Sequence, residues 1–331
     1  MTARAHFRGR SGIAKKPNKA VDREGCFELF LGGVAERYGR GDTMKIYING
    51  KFYSKEDATV SVYDHGFLYG DGVFEGIRAY GGRVFKLKEH IDRLFESAKT
   101  IMLKIPLSSE KLMEDVVHTV RVNGLKDAYI RLVVTRGVGT LGLNPFNCEE
   151  PRIIIIADKI VLYPKTFYEN GLSVITVPTQ RNIAEAVNPR IKSMNYLNNI
   201  LAKIEAINAG VHEAIMLNAA GFVAECTGDN IFIVRKGVIK TPPLYMGVLE
   251  GITRDEIIAV ARRFGIEVTE EVFTRHDVFN ADECFLTGTA AEIIPVVKVD
   301  GRVVGNGKPG KLTRRLMAAF HELVRKVGVA I

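Results

Sequence analysis

The sequence predicts an α+β fold made of two α/β domains that a loop connects. Helical and strand patterns intermix without the steady βαβ alternation of a doubly wound parallel sheet. The 331 residues exceed one typical core, and 47% of them are hydrophobic. The apolar rhythm breaks at "ADKIVLYPKTFYENG", where charges and a proline intervene. We therefore expect a small domain over 44–158, an interdomain loop over 159–167 and a large domain over 168–331.

The first domain begins at Met44 with the hairpin "MKIYINGKF", where Asn49 and Gly50 predict a type I′ turn. The strand "GVFEGIRAY" follows, and then a helix near 87–102 whose apolar residues recur at helical spacing: Leu87, Ile91, Leu94, Phe95, Ala98 and Ile101. Another helix and two strands complete this domain, among them "IIIIA" at 153–157, which we expect to be a buried strand.

The second domain opens at "LSVITV" and continues with a helix just after Lys192. That helix has an apolar stripe that we expect to be buried, formed by Leu197, Ile200, Leu201 and Ile204. The hairpin "EAIMLNAAGFVAEC", further strands, a helix at about 254–264 and a last helix at about 311–327 follow. Because Lys192 precedes a stripe of this kind, its side chain is expected to point inward.

Charge and composition argue against several classes of protein. The formal net charge is +8, but residues 1–43 hold nine Lys/Arg against five Asp/Glu, so half of the excess lies in a tail. We expect this tail to be disordered or mis-started, and we expect no nucleic-acid partner. No apolar run approaches the roughly 20 residues of a membrane span. The spacing of Cys26, Cys148, Cys226 and Cys284 gives no C-x-x-C pair, which favours a reducing cytoplasm and no metal site.

The segment "GVGTLG" at 137–142 matches the dinucleotide-binding pattern letter for letter. That pattern needs a helix that starts inside it and offers its N-terminus to a pyrophosphate. The following "LNPFNCEEP" cannot start such a helix. We therefore expect a glycine-hinged loop that lines a pocket.

Lys192 is a candidate nucleophile. A lysine before a helix is usually an ordinary snorkelling side chain. A buried lysine, however, has a lowered pKa and an amine that attacks aldehydes. Pyridoxal phosphate is an aldehyde cofactor that uses such an amine, and it also requires a phosphate cradle, a partner for its pyridine nitrogen and a substrate pocket.

Two glycine-led turns could cradle the phosphate. In "GITRDEII" at 251–258, Gly251 permits close approach, and Thr253 and Glu256 are spaced as a capping box at a helix start. In "TGTAAE" at 287–292, Thr289 adds a hydroxyl. Glu225, in "GFVAECTG", lies among small and apolar residues of a predicted strand and suits the pyridine nitrogen, although a structural ion pair or an outward strand face would explain it as well.

Several motifs together resemble one family over the chain from about Met44 to the C-terminus. They are "YGDGVFEGIRAY", "HIDRLFESAK", "YIRLVVTRG", "IKSMNYLNN", "AECTGDNIF", "GITRD" and "TGTAAEI". The chain resembles the class IV, pyridoxal-phosphate-dependent aminotransferases of fold type IV, and most closely those that act on branched-chain amino acids. The resemblance implies amino transfer from Leu, Ile or Val to 2-oxoglutarate in a homo-oligomer, with the cofactor in the large domain.

The resemblance also implies a role for each site residue. Lys192 would bind the cofactor aldehyde, Glu225 the pyridine nitrogen and Tyr196 the phenolic oxygen. The phosphate would be held by Arg93, Ile252, Thr253 and Thr289. The substrate would meet aromatic walls at Tyr69, Phe74 and Tyr129, a carboxylate turn at Thr289 and Ala290, Arg131 for the far carboxylate of glutamate, Arg78 in support, and Leu143 from a neighbouring subunit. Tyr163 is the candidate from the interdomain loop, with Leu162 as the alternative.

Two relatives of the same fold are alternatives, D-amino acid aminotransferase and aminodeoxychorismate lyase. The D-specific enzymes typically follow "VTRG" with an Arg-x-His trap, where this chain has "VGTLG". The lyase typically has an arginine where Tyr196 stands. The spacing between Lys192 and "NYL" is nevertheless the one found in the D-specific enzymes, so side activity on D-amino acids or on aromatic amines stays open.

Overall fold

The computed structural model describes residues 44–160 and 162–331. The predictions made for residues 1–43 lie outside this part of the chain. Residues Met44–Ile331 form one compact unit. Two β-sheets organise it. The first is built from strands of the first half of the chain and the C-terminal strand, and the second from strands of the second half.

The first sheet consists of β1 (Lys45–Ile48), β2 (Lys51–Ser54), β3 (Gly72–Tyr80), β4 (Arg83–Val84), β5 (Ala128–Thr135), β6 (Arg152–Asp158) and β16 (Val329–Ala330). Its order is β16-β4-β3-β5-β6-β1-β2, and every neighbouring pair is antiparallel. The predicted hairpin turn is confirmed, because Asn49 and Gly50 both have positive φ angles, 44° and 86°.

Three helices accompany this sheet: α1 (His65–Tyr69), α2 (Leu87–Thr100) and α3 (Ser109–Val122). The predicted helix near 87–102 is confirmed as α2, and four of its apolar residues, Leu87, Ile91, Leu94 and Ala98, are fully buried in the core beneath the sheet. The "IIIIA" strand is confirmed as β6, but only one face of it is buried. Ile155 is inaccessible, whereas Ile156 is 37% exposed, as period-two alternation requires.

The second sheet consists of β7 (Leu172–Thr176), β8 (Glu213–Leu217), β9 (Val223–Cys226), β10 (Asn230–Arg235), β11 (Val238–Thr241), β12 (Val268–Glu270), β13 (Glu283–Gly288), β14 (Glu292–Val299) and β15 (Arg302–Val303). Its order is β12-β11-β10-β13-β14-β7-β8-β9, with β15 on β14. The pairs β11–β12, β14–β7 and β7–β8 are parallel and the others antiparallel, in agreement with an α+β fold. The change of sheet falls between Asp158 and Leu172; the exact domain boundaries at 158 and 168 stay a prediction.

The remaining helices are α4 (Lys165–Asn170), α5 (Ala184–Val187), α6 (Leu197–Asn208), α7 (Ile252–Arg263), α8 (Arg275–Phe279) and α9 (Lys311–Val324), with short 3-10 turns at Pro145–Asn147 and Leu244–Met246. Helices α7 and α9 confirm the predictions at 254–264 and 311–327 within three residues at each end. Across 44–160 and 162–331, no helix is long and apolar enough to cross a membrane.

The predicted burial of the apolar stripe on α6 is wrong. Leu197, Ile200, Leu201 and Ile204 are 67%, 52%, 46% and 46% exposed. The helix instead faces the sheet with small residues, and Ala202 and Ala206 pack against Ala214 and Met216 of β8. Helical spacing identifies an apolar face, but it does not say which face the sheet covers.

The predicted capping box at Thr253 and Glu256 is also wrong. Helix α7 starts two residues earlier than this box requires, with Gly251 as its N-cap and no side-chain cap. Glu256 instead forms ion pairs with Lys86 and Arg263, at 3.0 and 3.1 Å. The first N–H groups of α7 therefore remain available for a ligand.

Candidate active site

One pocket takes its lining from both sheets. Ten of the predicted site residues border it: Phe74, Arg93, Tyr129, Lys192, Tyr196, Glu225, Ile252, Thr253, Thr289 and Ala290. It encloses about 650 Å³, part of which is open solvent.

Lys192 lies in an extended segment that is attached to β3. Its carbonyl accepts the Phe74 N–H at 3.0 Å, and its own N–H donates to Ser97 Oγ at 3.1 Å. With the backbone fixed in this way, the amine Nζ lies 4.7 Å from the centre of the Phe74 ring and donates to the Tyr196 hydroxyl at 3.1 Å. The lysine therefore points into the pocket, as the sequence predicts, and not into solvent.

Glu225 is buried at the pocket wall at the end of β9. Its Oε1 forms an ion pair with Nη2 of Arg181 at 2.6 Å. Its Oε2 accepts hydrogen bonds from the Asn230 side-chain amide at 3.0 Å and from the Leu249 N–H at 3.1 Å. A carboxylate offers about four acceptor positions, so about one stays available for a ligand N–H. Burial raises the pKa of Glu225, and the Arg181 guanidinium opposes that rise by favouring the charged form.

The Arg93 end of the pocket carries a positive charge, in contrast to the negative charge of Glu225. Glu75, from the middle of β3, holds the Arg93 guanidinium through two bonds, Nε–Oε1 at 2.7 Å and Nη2–Oε2 at 2.8 Å. Burial alone would raise the pKa of Glu75, but Arg93 and then His90 hold it well below its usual range. Arg93 also donates to the carbonyl of Glu250, next to the start of α7. A fixed cation and a helix N-terminus together form an anion site.

Glycine is required where the start of α7 approaches β10. A Cβ at Gly251 would lie 2.0 Å from Oδ1 of Asn230. The absence of that side chain permits the close approach by which Ile252 and Thr253 come to border the pocket. The donors here suit a phosphate group, and the residues fit the cofactor that the sequence implies: an amine, a buried carboxylate and an anion site border one cavity.

The turn between β13 and β14 brings Thr289 and Ala290 to the pocket. Arg78 supports this turn from outside the pocket, because its Nη1 pairs with Glu292 at 2.9 Å and lies 3.4 Å from the Ala290 carbonyl. Gly288 is as tightly placed as Gly251: a Cβ there would lie 2.0 Å from Oδ1 of Asp229.

The aromatic wall combines Phe74 and Tyr129. Arg131 stacks over Phe74 at 4.6 Å and donates to the Tyr129 hydroxyl at 3.2 Å. Arg131 thus lies behind the wall and does not itself border the pocket. Gly76 completes the fit, since a Cβ at that position would lie 2.3 Å from the Tyr129 hydroxyl.

Three other predicted residues do not border the pocket within one chain. Tyr69 donates its hydroxyl to the Leu141 carbonyl at 2.6 Å, and Leu143 is 80% exposed on the same loop. Tyr163 is buried in the core of the second sheet, 3.4 Å from Oε2 of Glu213. The "GVGTLG" loop is not followed by an α-helix, as predicted, but it does not line this pocket either.

Comparisons with known proteins identify the family to which this chain belongs. The sequence model of the family described as amino-transferase class IV matches residues 72–299, which is more than half of the chain. The chain belongs to the class IV aminotransferases. A relative from Methanocaldococcus jannaschii is 56% identical over 288 residues, covering 87% of this chain and 99% of its own. The branched-chain-amino-acid aminotransferase of Pseudomonas aeruginosa is 40% identical over 284 residues, covering 84% and 92%.

Solved structures of class IV aminotransferases confirm the predicted fold-type IV architecture. The Escherichia coli branched-chain amino acid aminotransferase superposes with a TM-score of 0.83 at 38% identity, covering 85% of this chain and 95% of its own. The branched-chain aminotransferase of the archaeon Thermoproteus uzoniensis gives 0.80 at 40% identity, covering 86% and 96%.

The structure adds residues to this candidate site that sequence reasoning missed. They are Glu75, Arg181, Asn199, Asp229, Asn230 and Thr287. Glu75 could have been found, because it interrupts the apolar strand "GVFEGIRAY" as Glu225 interrupts its own strand. Arg181 gives no such signal, since it lies in an irregular segment between β7 and α5. Asn199 connects it to the pocket floor by accepting from Arg181 at 3.0 Å and donating to the Thr227 carbonyl at 2.7 Å.

Proposed function

We propose that this class IV aminotransferase uses pyridoxal 5′-phosphate to exchange amino groups between branched-chain L-amino acids and 2-oxoglutarate. The products are branched 2-oxo acids and L-glutamate. The observation that carries the proposal is the convergence of the Lys192 amine, the Glu225 carboxylate and the Arg93 anion site in one pocket.

The names of the relatives support the cofactor and the substrate class. A branched-chain amino acid aminotransferase that is 39% identical to this chain has been solved with pyridoxamine 5′-phosphate and with 4-methylvaleric acid. The Thermoproteus uzoniensis enzyme has been solved with norvaline. These ligands are the amino form of the proposed cofactor, an apolar carboxylate and an apolar amino acid, which is the chemistry that the pocket of this chain suits.

When bound, the cofactor supplies an aldehyde that takes the amino group and a ring that withdraws electrons from the substrate α-carbon. The chain supplies the rest. Lys192 Nζ would hold the cofactor, and its free amine would accept the proton of the substrate α-carbon. The Tyr196 hydroxyl, 3.1 Å away, keeps Nζ directed into the pocket. Glu225 would keep the ring nitrogen protonated, and the ion pair with Arg181 favours the ionised carboxylate that this role needs.

Phosphate binding falls to Arg93, the N–H groups of Ile252 and Thr253, and Thr289 in this proposal. The substrate carboxylate binds on the turn at Thr289 and Ala290. The apolar side chain packs on Phe74 and Tyr129, which border the pocket. Tyr69, which does not border it in the single chain, is proposed to extend this wall in the assembled enzyme. Because Arg131 and Arg78 lie just behind these surfaces, they are placed to receive the far carboxylate of glutamate after a small side-chain movement.

A homodimer or larger homo-oligomer is part of the proposal. The apolar α6 face, formed by Leu197, Ile200, Leu201, Ile204 and Ile207, is 46–67% exposed in the single chain. Exposed apolar patches of this kind are typical of protein interfaces. Leu143 is 80% exposed, and we propose that it completes a neighbouring subunit's pocket. Tyr163 or Leu162 is the proposed contribution of the interdomain loop. A cytoplasmic location fits three free cysteines, Cys148, Cys226 and Cys284.

The test is an absorbance spectrum of the protein reconstituted with pyridoxal 5′-phosphate. We expect a visible band that L-leucine bleaches and 2-oxoglutarate restores. Lys192→Ala serves as the control and should lack the band. A band that responds to D-alanine and not to L-leucine would instead support the D-specific alternative, and a band that no amino acid changes would contradict amino transfer altogether.

A further inference from the structure

Asp229 borders the pocket but has no part in the chemistry assigned above. It directly follows the Glu225 segment, just before β10, and only 7% of its surface is exposed. Within 44–160 and 162–331, no cation forms an ion pair with it and no donor bonds its carboxyl group. The other two acids of this region are paired: Glu225 with Arg181, and Glu213 with Lys203.

The position of the Asp229 carboxyl group relates it to substrate binding. Its Oδ1 occupies the space that a side chain at Gly288 would enter, because a Cβ at that position would lie 2.0 Å from it. Gly288 belongs to the same turn as Thr289 and Ala290, where the substrate carboxylate is proposed to bind. Thr287, at the start of that turn, is fully buried, and its hydroxyl also has no partner.

The charges around the pocket make a further anion unfavourable here. Glu75 neutralises Arg93, and Glu225 neutralises Arg181. Among the described residues that border the pocket, Lys192 is the cation left without a carboxylate partner. A phosphate and a substrate carboxylate would bring additional negative charge next to Asp229, and like charges in a buried site raise the free energy of the ionised form.

Several titratable groups face Asp229 from the elements packed around it. They are Lys192, Lys203 of α6, Glu213 of β8, Glu225 and Cys226 of β9, and Tyr163 and Tyr168 near α4. Burial is the largest influence, and together with Glu213 it raises the pKa of Asp229 to about 7. Lys203 and Lys192 oppose the rise, whereas Glu225 adds to it.

We propose that Asp229 is a further substrate-binding residue, whose carboxyl group takes up a proton from solvent when a substrate carboxylate binds on the 287–290 turn. The bound pocket then holds the substrate anion beside a neutral acid. This inference rests on the proposed function, because it needs a carboxylate on that turn. A substrate carboxylate therefore binds most strongly at a pH at which Asp229 already holds its proton. Its binding weakens as the pH rises, because Asp229 must then take up a proton during binding.

The experiment measures the binding of 4-methylvalerate, a carboxylate without an amino or oxo group, to the enzyme loaded with pyridoxal 5′-phosphate. The dissociation constant is determined from about pH 6 to about pH 9 for the wild type and for Asp229→Asn. Asparagine has the shape of the neutral acid and cannot ionise. Above pH 7 the wild-type constant should increase faster with pH than that of the variant, by up to about tenfold per pH unit for one linked proton. Near pH 6 the two constants should agree.

Asp255→Asn is the matched control. Asp255 is a carboxyl group whose pKa burial raises as well, but it pairs with Arg254 and does not border the pocket. Its replacement should leave the wild-type pH profile unchanged. If Asp229→Asn does not fold, infrared difference spectra of the wild type replace it: binding at pH 8 should produce the carbonyl band of a newly protonated carboxyl group.

Parallel pH profiles for the wild type and Asp229→Asn would overturn the inference and leave the proposed function intact. The absence of a new carboxyl band would overturn it in the same way. A protein that shows no visible cofactor band and binds no 4-methylvalerate at any pH would contradict the proposed function itself. The three results are therefore distinguishable.

Discussion

Two buried Arg–Glu pairs lie at the same pocket, and they present opposite charges to it. At one end, Glu75 is inaccessible to solvent and Arg93 borders the cavity, so the Glu75 carboxylate holds the Arg93 guanidinium in place and the pocket meets a positive charge. At the other, Arg181 neutralises Glu225, and the carboxylate keeps an acceptor position for a ligand. The pKa directions differ accordingly: that of Glu75 is lowered, whereas that of Glu225 is raised. An Arg–Glu pair can therefore present either its positive or its negative member to a ligand. The other member of the pair holds it in place.

The largest expected effect comes from breaking the first pair. Glu75→Gln leaves the Arg93 guanidinium buried without its counter-charge, and an arginine cannot lose its proton to relieve this. We expect the free energy of unfolding to fall by about 3–5 kcal/mol. Chemical denaturation of the apoenzyme measures this. A loss well below this range, close to that of a surface ion pair, would show that Arg93 does not depend on Glu75.

Breaking the second pair from the side of the carboxylate should lower both stability and catalysis, because Arg181 also loses its counter-charge and the pocket loses its carboxylate. Glu225→Gln retains the shape and the Asn230 contact but cannot keep a ring nitrogen protonated. We expect kcat for L-leucine to fall roughly 10²–10³-fold. Single-turnover kinetics with L-leucine test this, and an unchanged rate would remove Glu225 from its assigned role.

Replacing the cation of the second pair should lower the free energy of unfolding by less than Glu75→Gln does. Arg181→Met leaves Glu225 unpaired, but a carboxyl group, unlike a guanidinium, can become neutral by binding a proton. We expect a loss of about 1–3 kcal/mol at pH 8 in the free energy of unfolding, measured by chemical denaturation.

The sign of the pH dependence follows from the raised pKa of Glu225, because the folded state then binds more protons than the unfolded state and loses stability as the pH rises. Removal of the Arg181 charge raises that pKa further. The gap between wild type and Arg181→Met should therefore be wider at pH 8 than at pH 5. A gap that widens towards acid would contradict this assignment.

The smallest effect is expected at an Arg–Glu pair that lies away from the pocket. Arg254 is buried and contacts Glu270, Asp255 and the Pro242 carbonyl, whereas the Glu270 side chain is 39% exposed. Glu270→Gln should lower the free energy of unfolding by less than about 1 kcal/mol and leave kcat unchanged. Loss of activity in this variant would mean that any buried Arg–Glu pair supports the site indirectly.

Sequence reasoning located the centre of the site but not its supports. Lys192 and Glu225 were predictable because a charge among apolar residues needs a physical reason. Arg93 required the family resemblance, since its position on the flank of an amphipathic helix is typical of a surface charge. Arg181 and Asp229 reach the pocket through irregular segments, whose course local patterns do not predict. The α6 stripe was misjudged because apolarity alone cannot distinguish the core from a surface that a second chain could cover.

The most direct test of the two opposite pairs compares the binding of pyridoxal 5′-phosphate with that of pyridoxal, which lacks the phosphate. Glu75→Gln should narrow the difference in affinity between the two compounds, because it disturbs Arg93, the arginine proposed to bind the phosphate. Glu225→Gln should weaken both compounds equally and preserve the difference, because both contain the ring nitrogen. The reverse pattern, with the difference kept in Glu75→Gln and lost in Glu225→Gln, would contradict the assignment of the two ends.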